Sequence, residues 1–298
     1  MKIDMKTATK CRYLTSYFSI ALMVLSFVFI GMKGINWGID FTGGMSVDIS
    51  TNSSVTSEQL KDVLDPILDQ EVRVQEGSSS GKWNFRYQPT STEKTPDFAK
   101  ILSDNIGPTE IIQTQVVGSS FGDEMKQQGF IAGLICMLFI MAYLSYRFEW
   151  RLASGSLLAL AHDVILVFGV FAITQMEFNL TELAAVLAVL GYSLNDSIII
   201  ADRLRETLRA NPTGDTQILN NEAVIATFSR TMVTSGTTLI TIIALWIMGG
   251  SSLHGFAIAM FVGVLTGTWS SISVGTTLPE LLKLKPVHYM PKEISADP

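Results

Sequence analysis

Six stretches of this chain are apolar over more residues than a soluble core requires, at about 13–32, 128–146, 153–174, 180–201, 231–249 and 254–276. At ~1.5 Å per residue, each can cross ~30 Å of hydrocarbon as a helix. Of 298 residues, 48% are hydrophobic and only 16% charged, which excludes an ordinary soluble domain. What remains is one polar block, 33–126. The expected fold is therefore a membrane all-α six-helix bundle with an α+β domain inserted after the first helix. Its divisions are a tail 1–12, a first helix 13–32, the domain 33–126, five further helices within 127–277 and a tail 278–298.

The first run follows Lys2, Lys6, Lys10 and Arg12, as a secretory signal would, but it is too long for a signal's apolar core and lacks an Ala-x-Ala site. It reads as an uncleaved anchor. Cys11 and Cys136 are too few and too far apart for a disulfide framework or a metal cluster, so no metal and no cofactor is expected. The net charge of −6 matters less than its distribution. Lys and Arg gather in the N-terminal tail, at Arg147 and Arg151, at Arg203, Arg205, Arg209 and Arg230, and at Lys283, Lys285 and Lys292. The short loops TQMEFNLTE and MGGSSLHG have neither. By the bias of basic residues toward the cytoplasm, both termini are expected inside and block 33–126 outside.

Within the block the periodicity shortens. MSVDIS (45–50) alternates as a half-buried strand does, and Thr56 with Gln59 forms a capping box ahead of a helical SEQLKDVLDPILD. EVRVQ (71–75) and WNFRYQ (83–88) flank a GSSSGK turn, Thr95-Pro96 starts a second helix, and TEIIQTQVV (109–117) is a last strand. The order β-α-β-β-α-β points to a ferredoxin-like split unit. With no His and no Cys, the block is expected to bind or to act mechanically.

Asp196 lies inside the fourth apolar run, in LGYSLNDSIII. A carboxylate in hydrocarbon costs ~2.5–3.5 kcal/mol even on lenient insertion scales. It sits roughly 8 Å inside the run's end at helical rise. Ser193, Asn195 and Ser197 border it in sequence. It is either a structural carboxylate bonded between helices or, the reading favoured here, one that carries an ion. Arg230 opens the fifth run, either marking the membrane boundary or facing Asp196. Thr234, Thr237 and Thr241 follow it at helical spacing, a hydroxyl stripe aimed into the bundle if Arg230 is. His162 and Asp163 interrupt the third run, and a second proton-relay position and a helix–helix hydrogen bond stay equally open for them.

Gly255, Ala259, Gly263, Gly267, Ser271 and Gly275 recur every fourth residue of the sixth run, a spacing for close helix packing. DRLRE (202–206) reads as an interfacial stop signal. The sequence carries no HExxH, GxSxG or Walker-type GxxxxGK, so an enzymatic role is not expected. Work would then come from binding or from an ion gradient. One charge moved through the membrane potential supplies ~2.3 kcal/mol per 100 mV.

Gly38-Ile39-Asp40-Phe41-Thr42-Gly43-Gly44 resembles the G-[IL]-D-F-x-G-G signature of the SecD/SecF family. LGYSLNDSIIIADRLRE (190–206), SRTMVTSGTTL (229–239) and AHDVI (161–165) are similar to its SecF branch, and VVGSSFG (116–122) departs from a more usual Val-Gly-Pro. The resemblance covers about 10–285. It implies half of an RND-superfamily unit, completed by SecD to twelve helices and joined to SecYEG and YajC, with SecA driving the ATP-dependent step. It implies that Asp196 and Arg230 lie on an ion pathway for H+ or Na+ whose work moves unfolded preprotein outward across the bacterial inner membrane. Nucleic acid is not an expected partner; lipid is. The alternatives are half of an RND-type exporter of small molecules or lipids, and a passive scaffold.

Overall fold

The structure is a computed structural model that describes residues 5–52, 54–77, 80–89 and 96–290. Helix α1 (Met5–Lys33) leads through a single turn, α2 (Ile39–Thr42), into β1 (Gly44–Ser50). There follow α3 (Ser57–Leu68), β2 (Arg73–Glu76), β3 (Lys82–Tyr87), α4 (Phe98–Ile106) and β4 (Glu110–Val117). The chain then returns through α5 (Ser119–Arg147), α6 (Trp150–Thr174), α7 (Leu180–Ala210), α8 (Thr216–Met248), α9 (Ser251–Ile272) and α10 (Val274–Leu281). Among the described residues, six helical segments are long and apolar enough to span a membrane, α9 and α10 counting as one.

The strands form one antiparallel sheet in the order β2-β3-β1-β4. Alternation places Val47, Ile49, Phe85 and Tyr87 on one face, against Leu60 and Leu64 of α3 and Phe98 and Leu102 of α4. Thr56 caps α3, its Oγ1 accepting from Gln59 N while Thr56 N donates to Gln59 Oε1. The second helix of this unit starts later than Thr95-Pro96 implies: Asp97 is its cap, accepting from Lys100 N. The acidic side chain can take up a free amide, which Pro96 cannot do. Thr95, and Ser78 and Ser79 of the expected turn, lie outside the described residues.

Helices α6, α7 and α9 form the interior of the bundle, with α1, α5 and α8 leaving broad apolar faces exposed. Gly263 admits Val189 of α7 so closely that a Cβ would come within 2.2 Å of it, and Gly255 does the same for Glu182. Small residues on α9 thus set its distance from α7.

Four helix limits lie beyond the apolar runs: α1 starts at Met5, α5 at Ser119 and α8 at Thr216, and α7 ends at Ala210. Hydropathy marks the stretch that lipid tolerates and is blind to a polar helix continuing beyond it. Helices α7 and α8, of 31 and 33 residues, run on at the end far from the sheet. There Asp202 pairs with both Arg147 and Arg205, at 2.8 and 2.9 Å. Helix α5 begins at Ser119, inside the polar block, because its first turn packs on the signature: a Cβ at Gly122 would lie 2.7 Å from Gly43 N. The sixth run is not one helix but breaks at Ser273 between α9 and α10. Ser270, Ser271 and Ser273 donate to carbonyls of α9, Thr276 of α10 reaches back across the break to Ile272 O, and Pro279 follows. Both features bend helices.

Candidate functional site

Asp196 is on the buried face of α7, 1% exposed, and among the described residues neither carboxylate oxygen has a hydrogen-bond partner. Ser235 of α8 comes near but falls short of a hydrogen bond, its Oγ held 2.6 Å from Thr268 Oγ1 of α9 and reached by Tyr192 Oη at 3.4 Å. The buried hydroxyl face of α8 is Thr227, Thr231 and Ser235. A carboxylate so enclosed has lost water and gained no hydrogen bond among the described residues, which is costly for a charged group.

The structure separates what the sequence placed together. Arg230 makes no ion pair with Asp196; its side chain is exposed, and only its field reaches the carboxylate. One residue is about 100° of helix, so the face with Arg230 and Thr237 turns outward when Thr231 and Ser235 turn inward. Thr234, Thr237 and Thr241 are not aimed into this bundle: each hydroxyl donates to a carbonyl of its own helix. Asn195 is likewise exposed rather than beside Asp196, and α7 leaves Ala184, Ala188 and Gly191 uncovered with it. Ser197 is buried, but one residue on and facing away.

Ser193 belongs to a different group. Its Oγ donates to Asp163 Oδ2 at 2.5 Å, and the other carboxylate oxygen lies 2.9 Å from His162 Nδ1. Asp163 is fully buried and His162 is 1% exposed, with Nε2 unpartnered. Gly267 makes room, since a Cβ there would lie 2.9 Å from Ser193 and 3.3 Å from Asp163 Oδ2. This cluster joins α6, α7 and α9 one helical turn from Asp196 on the sheet side.

At the sheet-side end of α7 lies the glycine signature. Asp40 Oδ2 accepts from Leu180 N, the first residue of α7, at 3.0 Å. Gly38 N donates to Phe178 O and Phe178 N to Asn36 O, a short parallel bridge. Gly38 has no alternative: a Cβ would stand 1.6 Å from Asn179 Oδ1. Gly43 and Gly44 have φ of 68° and 121°, and Phe41 is buried among Phe171, Phe178 and Ala259. From the sheet, Arg86 pairs with Glu177 at 2.8 Å and Arg73 donates to Asn36 Oδ1 at 2.9 Å. Burial pushes the Glu177 carboxyl above its ordinary 4.5, the Arg86 charge opposing it, and burial lowers Arg86 in turn. A cleft of ≈ 650 Å³ opens beside this joint, lined by Asp40, Asp48, Glu177 and Glu182 with His254. Among the described residues no group of three His, Cys, Asp or Glu is placed to hold a metal ion.

Sequence reasoning gave Asp40 no role beyond the signature and took Arg12 as a basic flank. Arg12 is 5% exposed and ion-paired with Glu280, which also accepts from Tyr13 Oη and Asn220 Nδ2. A carboxylate in TTLPE, close to an apolar run, was the available signal. Asn179 and Glu182, spaced as a capping box in NLTE, were the signal for the start of α7.

Residues 97–285 match the family described as "Protein export membrane protein SecD/SecF, C-terminal", and residues 28–55 match the "SecD/SecF GG Motif". Protein translocase subunit SecF of Vibrio alginolyticus is 37% identical over 285 residues, covering 94% of this chain and 90% of that protein. The subunit from Escherichia coli O157:H7 is 35% identical over 282 residues, covering 93% and 87%. The crystal structure of SecDF, a translocon-associated membrane protein from Thermus thermophilus, superposes with a TM-score of 0.86 at 31% identity. The match covers 92% of this chain and 38% of that longer one. A structure titled SecDF in super-membrane-facing form matches with a TM-score of 0.67 at 33% identity, again over 38% of its length.

Proposed function

We propose, from the premise that this chain belongs to the SecD/SecF family of protein-export membrane proteins, that it is an accessory subunit of the Sec translocase. With SecD it uses an ion gradient, of protons or of sodium, to promote late-stage movement of unfolded preprotein across the bacterial inner membrane. The observation that carries this reading is Asp196, a carboxylate buried in a membrane-capable helix with both oxygens unpartnered. A gradient can do work on such a group: one pH unit is worth about 1.4 kcal/mol.

The ion pathway is Asp196 with Arg230, and with Asn195, Thr234 and Thr237 on faces this chain leaves partly or wholly uncovered. A second half-unit, SecD, covers those faces in our reading and completes an RND-type assembly of twelve helices. Support comes from the length relation, since this chain accounts for 38% of the SecDF chain it superposes on. Ser193, His162 and Asp163 form the adjoining hydrogen-bonded station. SecYEG and YajC are the proposed neighbours, and SecA acts from the other side of the membrane.

We place both termini in the cytoplasm and residues 33–126 in the periplasm, on the loop distribution of Lys and Arg. We read that domain as ferredoxin-like; its support is the strand order β2-β3-β1-β4, antiparallel throughout, with α3 and α4 on one face. The joint at Asp40 connects its sheet to the helix that bears Asp196, a route by which ion loading moves the domain.

Asp196→Asn tests this directly in inverted vesicles with proton and sodium gradients collapsed separately. The variant is expected to assemble with SecD and to lose gradient-dependent export. Undiminished late-stage translocation would leave only a scaffold.

A further inference from the structure

Helices α6, α7 and the bent α9–α10 pair line a small pocket of ≈ 10 Å³. Its polar lining is Ser156, Ser197, Ser271, Gly275 and Thr276. Ser197 is 4% exposed, and its hydroxyl has no hydrogen-bond partner among the described residues. Pro279 stands four residues after Gly275 and has no N–H to give the Gly275 carbonyl its usual helical bond. Ser156 reaches only a long bond to Leu152 O, 3.5 Å. Gly155 lets α6 pack directly on α10, because a Cβ there would lie 2.4 Å from Gly275 O.

We propose that this cavity binds a single water molecule between the Ser197 hydroxyl and the Gly275 carbonyl, making the break at Ser273 a hydrated hinge. A water needs roughly 10–15 Å³ of such volume and two to four polar partners. A bare sodium ion would find oxygens of the right kind, but the lining has no carboxylate. Its charge would stay uncompensated among neutral buried oxygens, at a cost of several kcal/mol. A water carries no such charge. It can also trade one hydroxyl or carbonyl partner for another, so α7 can shift against α10 without stranding a polar group. This inference stands apart from ion coupling at Asp196, which lies about 100° further round α7.

The test is X-ray radiolytic hydroxyl labelling of the full chain in nanodiscs, read by mass spectrometry. Leu204 and Leu152, which line the cavity, are expected to oxidise several-fold more than Leu160, which is equally buried in the same bundle. Ser197→Val fills the space and is expected to abolish the excess. Ser197→Ala, which adds no volume and so spares folding, is expected to reduce it several-fold. Exchange of sodium for potassium is expected to change nothing. Labelling of Leu204 at the level of Leu160, an excess that survives Ser197→Ala, or an excess that follows sodium would each overturn the proposal.

Discussion

At Ser193 one hydroxyl decides how three helices meet, because it supplies a donor to the buried carboxylate of Asp163. Ser193→Ala leaves that oxygen without its donor and is expected to cost roughly 1–3 kcal/mol. Asn195→Ala, two residues on at an exposed position, is expected to change the stability of the isolated chain little; thermal unfolding in detergent distinguishes the two. His162, Asp163 and Asp196 were legible as polar exceptions in apolar runs. Their partners were not, because which neighbour a side chain meets depends on helix rotation, and one residue of phase separates a buried Thr231 from an exposed Arg230. Glu177 offers a pH test. Its carboxyl is raised above 4.5 in the folded state, so its contribution is fully favourable below 4.5 and is lost as pH rises through the raised value. Wild type is therefore expected to lose thermal stability on going upward from 4.5 more steeply than Glu177→Gln, which has no charge to bury.

Among the elements, α9 shows how little volume controls helix spacing. Gly263→Leu drives a side chain into Val189 and is expected to cost ~1–3 kcal/mol of overpacking strain. A pair of spin labels on α7 and α9 should report a larger separation. Thr56→Ala removes the cap of α3 and is expected to cost ~1 kcal/mol, confined to the sheet domain and measurable by hydrogen exchange in its core. The cap, the strands and the six apolar segments could all be read from local pattern, since periodicity and capping chemistry are properties of neighbouring residues. The limits of α5, α7 and α8 and the break at Ser273 could not. They depend on tertiary contacts, such as Gly122 against Gly43 or the Asp202 ion pairs, which extend or interrupt helices irrespective of hydropathy.

For the whole molecule, the joint around Asp40 is the connection between sheet and bundle that our reading requires. Asp40→Ala removes the acceptor at the first amide of α7 while leaving both cores intact. It is expected to retain assembly and lose export, with higher amide exchange at Leu180 as the sign of uncoupling; unchanged exchange and unchanged export would show the joint to be idle. The glycine signature was legible as a motif, but its purpose emerged only once Gly38 was seen against Asn179 and Asp40 against α7.

The ion pair of Arg12 with Glu280 fastens the first helix to the last. During synthesis Arg12 emerges long before Glu280 exists, and an unpaired guanidinium resists entering lipid. In our placement Arg12 flanks the first apolar run on the cytoplasmic side, where its charge stays hydrated until α10 is made. Maturation would finish with the closing of that clasp.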